Sequence, residues 1–186
     1  MKKFVEEYIA SFPKKLTEKY EKWTPKIMRN KAKFLNESFM FTGRVGVGKS
    51  TLSVAILIAK KMELSYPKRT GKFVDFVSWA ESIKTNYSKS NVEVVGLCKY
   101  PGCLVLDDLV KSQFEASKNK YLHNVLFTII DYRYKHELQT IIVSNVPFDE
   151  MAAEIGDATA SRIRGMCGKR NIIHFKNEED YRMLEE

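Results

Sequence analysis

The chain of 186 residues lacks any apolar run that approaches the roughly 20 residues needed to span a bilayer. Its start, Met1 to Glu7, carries acidic side chains where a secretory signal peptide needs an apolar stretch. Glycine and proline are scarce, with nine and five residues, which excludes collagen-like repeats and a disordered chain. We therefore expect a globular protein of the cytoplasm that makes no contact with a membrane.

Cysteine is also scarce. The spacing of Cys98, Cys103 and Cys167 matches no zinc finger or zinc ribbon with a nearby pair of histidines. We expect these three side chains to be buried free thiols. A chain of this length builds one domain with its own core and is too short for two ordinary domains. Every function must therefore be carried by that single core.

The net charge of +8 is unevenly distributed along the chain. Residues 1–35 hold ten Lys or Arg against four Asp or Glu, whereas residues 176–186 hold two against five. Apolar residues at helical spacing, broken by Pro13 and Pro25, predict two or three short basic amphipathic helices over residues 1–35. This surplus favours a polyanionic partner, and a solvated helix face is the alternative.

From residue 36 onward, short apolar strands alternate with helical patterns. The predicted strands are Phe39–Thr42, Phe73–Val77, Cys103–Leu106, Thr140–Ser144 and Ile172–Phe175. After a Gly-rich turn, one helix follows the first strand, and further helical patterns cover residues 79–87, 118–135, 147–153 and 158–166. Continuous apolar strands separated by helices predict an α/β fold, in which a mostly parallel sheet is covered on both faces.

The Gly-rich turn between the first strand and its helix fits the phosphate-loop pattern GxxxxGK[ST]. Its glycines allow the backbone to curl so that amide groups point at phosphate oxygens, next to the positive end of the helix dipole. Lys49 would reach the β- and γ-phosphates, and the Ser50 hydroxyl would bind Mg²⁺. The predicted nucleotide-binding residues are Gly43, Val45, Gly46, Val47, Gly48, Lys49, Ser50 and Thr51.

Two carboxylates, Asp107 and Asp108, follow the apolar run that begins at Cys103. Behind a phosphate loop, Asp107 is the natural ligand of Mg²⁺. Asp108 is placed toward the γ-phosphate, where a carboxylate can polarise an attacking water molecule. An N-cap role before a helix is the alternative for this pair. Hydrolysis is therefore the predicted chemistry.

Two more side chains are candidates for the same site. Asn145 follows the strand Thr140–Ser144 and could hold the water or touch the γ-phosphate, but before Pro147 it is also typical of a turn. Arg162 would stabilise transition-state charge if its helix presented it to the nucleotide of a neighbouring subunit. A surface salt bridge is the alternative for this arginine.

In order and spacing, these motifs resemble the DnaC/IstB-like branch of the AAA+ ATPases from about residue 36 to residue 182. The segments that carry the resemblance are GRVGVGKS, LVLDDL, IIDYRY followed by TIIVSN, and SRIRGMC. The resemblance implies an ATPase core over residues 36–186 without a separate lid domain. It also implies a five-stranded sheet in the order 5-1-4-3-2, with ATP and Mg²⁺ as cofactors.

The resemblance also implies a role for individual residues. By this resemblance, Asp107 would bind Mg²⁺ and Asp108 would activate water. Asn145 would be the sensor 1 residue. Arg162, or alternatively Arg164, would be the arginine that acts across a subunit interface. Asp180-Tyr181-Arg182 is similar to the family's sensor 2 motif, so Arg182 is a further candidate for contact with the nucleotide. Arg133, which precedes the sensor strand, is expected to face a neighbouring subunit.

Members of this family load the replicative helicase onto DNA or assist a transposase, as ATP-driven oligomers. The resemblance therefore implies a DNA replication ATPase of the helicase-loader type, which forms a homo-oligomer on single-stranded DNA. Helicase loaders usually carry a separate helicase-binding domain, whereas only residues 1–35 precede the first predicted strand. A replicative helicase and a transposase both stay open as partners.

Relatives of this type place an extra helical insertion along DNA in the region of Trp79 to Gly102. This region offers Lys84, Tyr87, Lys89 and Lys99 for phosphate contacts and base stacking. The alternative is an ordinary solvated helix.

Two other functions also fit a phosphate loop. A small-molecule kinase would need an arginine-rich lid, and we find no such sequence. A nucleotide-gated adaptor would bind ATP with little turnover, and it stays open because hydrolysis is expected to be slow without neighbouring subunits and DNA.

Overall fold

The computed structural model describes residues 29–63, 71–84, 87–109 and 120–175, together with Lys14 and Ile27. Strands and helices alternate along these residues, as the sequence predicts. The elements are α1 (Lys31–Phe34), β1 (Phe39–Gly43), α2 (Lys49–Glu63), β2 (Gly71–Asp75), α3 (Phe76–Lys84), α4 (Tyr87–Cys98), β3 (Cys103–Asp107), α5 (Lys120–Lys135), β4 (Thr140–Ser144), α6 (Phe148–Ile155), α7 (Asp157–Cys167), a 3-10 turn (Lys169–Asn171) and β5 (Ile172–Phe175).

The five strands form one sheet in the order β2-β3-β4-β1-β5, and every neighbouring pair is parallel. This is the predicted order, read from the other side of the sheet. Because all strands run the same way, the sheet has two unlike ends. We call the end where the strands finish the carboxyl edge and the end where they begin the amino edge.

Alternation of apolar side chains along the strands divides the core into two layers. Phe39 and Phe41 of β1 pack with α2 on one face, whereas Met40 points to the other face, where α3 to α7 lie. Strands β3 and β4 alternate in the same way, with Val105 and Ile141 on the α2 face. A strand buried on both faces needs apolar residues at every position, which explains the continuous apolar runs in the sequence.

The second strand differs from its prediction over Phe73–Val77, because β2 ends at Asp75 and α3 begins immediately at Phe76. Residues Phe76, Val77, Ala80 and Ile83 are buried at helical spacing, and the Asp75 carboxylate accepts a hydrogen bond of 3.1 Å from the Ser78 amide at the start of the helix. A short apolar run fits both a strand and a helix. A second helix, α4, follows, so the predicted helix over residues 79–87 was wrong in both bounds.

The predicted basic helices over residues 1–35 lie largely outside the described residues. Within the part that is described, Ile27 is fully buried in the core on the α2 face, and α1 leads from there into β1. All three cysteines are free and buried, as predicted. No helix among the described residues is long and apolar enough to cross a membrane.

Arg133 does not face a neighbouring subunit, and that prediction was wrong. Its side chain is completely buried near the amino edge. It donates five hydrogen bonds of 2.7 to 3.0 Å, whose acceptors are the carbonyl oxygens of Leu97, Tyr100, Gly102 and Gln139 and the hydroxyl oxygen of Thr140. A guanidinium group has five N–H donors, so this one is saturated. Burial lowers the pKa of Arg133 to about 10, which leaves it charged at neutral pH.

Candidate functional site

The glycine-rich loop joins the end of β1 to the start of α2. Gly43, Gly46 and Gly48 have φ angles of 137°, 90° and 87°, which residues with a side chain rarely adopt. Val47 is buried and anchors the loop to the core, whereas Val45 is exposed at its tip. The glycines of the phosphate loop therefore allow the backbone to curl in front of the helix, as the sequence predicts.

Lys49, the first residue of α2, directs its side chain back into this curl. Its Nζ atom donates hydrogen bonds of 2.8 Å and 2.6 Å to the carbonyl oxygens of Gly43 and Arg44, and the residue is 4% exposed. A buried ammonium group at the start of a helix, inside a glycine-rich loop, is positioned to attract a phosphate group.

Gly43 is also required by the neighbouring strand. A Cβ atom at this position would lie 2.7 Å from the carbonyl oxygen of Phe175 in β5. The next residue back in β1, Thr42, has its hydroxyl 2.9 Å from Nδ1 of His174, also in β5. The last strand of the chain thus supports the base of the loop. We missed this contact in the sequence, where residues so far apart give no signal of their proximity.

The carboxylate of Asp107 lies next to the loop because β3 ends at the same edge of the sheet as β1. The Ser50 hydroxyl donates a hydrogen bond of 2.9 Å to Oδ1 of Asp107. Burial raises the pKa of Asp107 to about 6, a rise that the Ser50 hydrogen bond opposes. A hydroxyl and a buried carboxylate in contact supply only oxygen ligands, which suit Mg²⁺ in a site where nucleotide phosphates supply the rest.

Asp108 and Asn145 form a second polar pair at this edge. Asp108 follows β3 with a φ angle of 52°, a left-handed conformation that aspartate tolerates better than most residues. Its Oδ1 atom accepts a hydrogen bond of 2.9 Å from Nδ2 of Asn145. β4 lies between β1 and β3, so Asn145, which follows it, is placed between the loop and the acidic strand.

The carboxyl edge therefore brings together four predicted residues that span about half of the chain: Lys49, Asp107, Asp108 and Asn145. Parallel strands place their ends side by side, and this arrangement makes neighbours of residues that are distant in sequence. The edge combines a lysine directed into a glycine-rich loop, a hydroxyl–carboxylate pair and a carboxylate–amide pair. Such a set can bind a nucleotide and polarise a water molecule.

Arg162 lies on α7 and contacts α5. Its Nε atom donates a hydrogen bond of 2.5 Å to Oδ1 of Asp131, and Nη1 donates one of 3.0 Å to the carbonyl oxygen of Ala158. The guanidinium group lies over the Phe127 ring, 5.1 Å from its centroid. The side chain is 30% exposed, so Arg162 makes a salt bridge within its own subunit and still reaches the surface.

Arg164, the alternative to Arg162, lies in a different environment. Its Nη2 atom is 3.6 Å from Oδ1 of Asp149, and both side chains are largely exposed. The guanidinium group is 4.9 Å from the centroid of the Phe148 ring. Asp149 and Phe148 begin α6, close after Asn145, so Arg164 is directed toward the helix that follows the sensor strand.

The residues predicted to contact DNA are described only in part. Lys84 ends α3 and is exposed, with its Nζ atom 3.4 Å from Glu81 and 5.9 Å from the centroid of the Tyr121 ring. Tyr87 and Lys89 belong to α4, but the structure does not describe their side chains. The neighbouring Tyr121 belongs to α5, beyond the insertion, and its hydroxyl is 2.8 Å from that of Ser90. Arg182 lies outside the described residues.

Comparison with protein families gives a match over most of the chain. Residues 28–182 match the family model for IstB-like ATP binding proteins. Among curated proteins, no match is found.

Several solved structures have a similar fold. The DnaC helicase loader has a TM-score of 0.65 at 22% identity, over 86% of this chain and 88% of that chain. DnaI has a TM-score of 0.57 at 20% identity, over 88% and 86%. The replication initiator DnaA bound to AMPPCP and single-stranded DNA has a TM-score of 0.61 at 20% identity, over 89% of this chain and 46% of that one.

The phosphate loop, the strand order and the family match agree with one another. The family match covers more than half of the chain, and the similar structures have the same fold. This chain therefore belongs to the family of IstB-like ATP binding proteins, and it is a P-loop ATPase with the AAA+ fold.

Proposed function

We propose that this ATPase acts in DNA replication as a helicase loader, and that it works as an ATP-dependent homo-oligomer on single-stranded DNA. The observation that carries the proposal is the meeting of two side-chain pairs, Ser50 with Asp107 and Asp108 with Asn145, behind the phosphate loop. The similarity of the fold to the DnaC helicase loader over most of both chains supports the choice of partner.

In this proposal, the loop and Lys49 bind the phosphates of ATP. The amide groups of Gly43 to Thr51 surround the β-phosphate, and the Lys49 ammonium exchanges its two carbonyl acceptors for phosphate oxygens. This exchange is favourable because a buried ammonium group interacts more strongly with a phosphate charge than with carbonyl dipoles. Arg182 is proposed as a further contact with the nucleotide.

Ser50 and Asp107 would hold Mg²⁺, which neutralises charge that develops on the phosphates during transfer. Asp108 would accept a hydrogen bond from the attacking water molecule and polarise it. Asn145 lies between the loop and Asp108, and its side-chain amide would donate a hydrogen bond to that water or to the γ-phosphate. The contact between Asn145 and Asp108 sets the distance between these two groups before the reaction.

Arg162 is proposed to act on the nucleotide of a neighbouring subunit, with Arg164 as the alternative residue. A cation supplied across a subunit interface stabilises the charge of the transition state, and it makes hydrolysis depend on assembly. Because Arg162 is partly exposed on α7, a second subunit can approach it.

Single-stranded DNA is the proposed ligand of the region from α3 to the start of α5. Lys84, Tyr87 and Lys89 would contact phosphates and stack on bases, and Tyr121 adds an aromatic ring next to Lys84. The positive surplus of residues 1–35 is proposed to select the replicative helicase as partner. The description of the matching family favours a second candidate, an IstB-like helper of a transposase.

The test compares three variants in assays of ATP binding and hydrolysis. Lys49→Ala should lose ATP binding, whereas Arg162→Ala should bind ATP normally and lose about 100-fold or more of its DNA-stimulated turnover. Arg170→Ala removes an exposed arginine after α7 and serves as the matched control, with unchanged turnover. Stimulation by single-stranded DNA rather than duplex DNA supports the helicase loader, and the reverse supports the transposase helper.

Wild-type turnover per subunit should rise with protein concentration, because each site needs a neighbour. Full activity in a dilute sample of Arg162→Ala would refute the action of Arg162 across an interface. Retention of that activity by Arg162→Ala but not by Arg164→Ala would transfer the role to Arg164.

A further inference from the structure

Arg162 is restrained along one side of its guanidinium group. Asp131 accepts a hydrogen bond of 2.5 Å from Nε, the Ala158 carbonyl accepts one of 3.0 Å from Nη1, and the centroid of the Phe127 ring lies 5.1 Å from Cζ. Within the described residues, Nη2 donates no hydrogen bond. The inner edge of the group is thus fixed, and the outer edge keeps donors for another acceptor.

Asp131 also makes a second, more exposed ion pair. Its second oxygen, Oδ2, accepts a hydrogen bond of 2.6 Å from Lys135, one turn further along α5. The hydrogen bonds from Lys135 and Arg162 lower the pKa of Asp131 below its ordinary value. The carboxylate therefore stays ionised at neutral pH, and it links the proposed finger on α7 to the neighbouring helix α5.

We propose that Asp131 is the positioning residue of the arginine finger: it orients Arg162 through Nε so that Nη1 and Nη2 point to the γ-phosphate site of the adjoining subunit. This inference rests on the proposed function of Arg162. A free arginine side chain samples many rotamers, and each must be lost before it can bind a phosphate. A carboxylate on Nε fixes the side chain beforehand, and it leaves Nη2 and the second hydrogen of Nη1 for phosphate oxygens.

The environment of Arg164 supports this assignment. Among the described residues, its one carboxylate partner, Asp149, is 3.6 Å away, and both groups are largely exposed. Such a pair does not hold a long side chain in one orientation. Of the two candidate arginines, only Arg162 has a short hydrogen bond to a half-buried carboxylate.

The experiment uses mixtures of two full-length variants. Lys49→Ala subunits bind no ATP but can donate Arg162, and Arg162→Ala subunits bind ATP but donate no finger. Hydrolysis in a mixture of the two, with DNA present, then requires a finger that acts across the interface. Asp131→Asn is added to one kind of subunit at a time. Lys135→Ala, which removes the other partner of Asp131, is the matched control.

We expect Asp131→Asn in the donor subunits to lower kcat of the mixture about tenfold without a change in KM for ATP. The same substitution in the acceptor subunits, and Lys135→Ala in the donor subunits, should change kcat less than about twofold.

The possible outcomes separate this inference from the proposed function. An inactive mixture of the two parent variants would refute the action of Arg162 across an interface, and the positioning role with it. An active mixture that Asp131→Asn leaves unchanged in the donor would overturn the positioning role alone. Equal losses in donor and acceptor subunits would also overturn it, because they would indicate an effect on the whole fold.

Discussion

The two edges of the sheet treat buried charge in opposite ways. At the amino edge, Arg133 is fully buried and uses all five of its N–H donors. At the carboxyl edge, Asp107 is also buried, yet among the described residues a single hydroxyl group is the side-chain donor to its carboxylate, and its pKa is raised to about 6. One charge is compensated within the fold, whereas the other is held at a cost in stability.

This difference separates structural from functional polar groups. Arg133 joins the ends of α4 and α5 to the start of β4, and the negative ends of the two helix dipoles stabilise its charge. Within the described part of the chain, the fold leaves Asp107 without a positively charged partner, and the proposed Mg²⁺ would supply the missing positive charge. We infer that saturation of hydrogen bonds marks a structural group, and that a raised carboxyl pKa marks a site for a ligand.

The largest change in stability is expected when the buried charge at the amino edge is removed. Arg133→Met keeps much of the side-chain volume but removes the donors for four buried carbonyl groups and one hydroxyl. We expect the free energy of unfolding to fall by about 4 kcal/mol. Denaturant unfolding measures this change. Lys99→Met, an exposed substitution at the end of α4, is the control and should cost less than about 0.5 kcal/mol. Similar values for the two variants would contradict a structural role for Arg133.

A substitution at the carboxyl edge should increase the free energy of unfolding instead of decreasing it. Folding raises the pKa of Asp107 from 3.8 to about 6, so the protonated form is favoured in the fold. The stability of the wild type therefore falls as the pH rises through that interval. Asp107→Asn should raise the free energy of unfolding by about 3 kcal/mol at pH 8, and this gain should vanish near pH 4.

The same variant should lose Mg²⁺-dependent hydrolysis at every pH. In the wild type, protons compete with the cation for Asp107, so hydrolysis should decline as the pH falls below about 6, and added Mg²⁺ should restore part of it. If the free energy of unfolding of the wild type were the same at pH 5 and pH 8, burial of the Asp107 carboxylate would not reduce stability.

The smallest expected effect concerns one acceptor of the saturated network. Thr140→Val removes the hydroxyl that accepts a hydrogen bond from Arg133 Nε, while the other four bonds stay. We expect the free energy of unfolding to fall by about 1 kcal/mol. Thr128→Val is a matched control, because that hydroxyl is exposed and bonds only to the preceding turn of its own helix. Equal unfolding free energies for both variants would indicate that Arg133 readily replaces this acceptor.

Most of the fold could be predicted from local patterns. The strand Thr140–Ser144 was predicted with both of its ends correct, because apolar β-branched residues are bounded there by polar ones. The loop from Gly43 to Ser50 was found because its chemistry is continuous in sequence. The start of α3 was missed, since Phe76 and Val77 fit a strand as well as they fit a helix.

Arginine side chains were the least predictable part of the site. Arg133 was expected at the surface, although it continues the buried spacing of Leu122, Leu126 and Ile129 along α5. That spacing was the available signal. For Arg162 no comparable signal exists, because Asp131 belongs to another helix and is separated from it by 31 positions.

The sequence by itself determined the order of strands and helices, the phosphate loop and the identity of the polar residues that end the strands. Periodicity and local motifs encode these features, because they depend on residues close together in the chain. Only the tertiary structure decided which charges are saturated and which stay available. The partners of Arg133 lie on α4, β4 and the segments before two strands, and those of Arg162 lie on two helices. Such contacts arise when distant segments pack, so no local pattern specifies them.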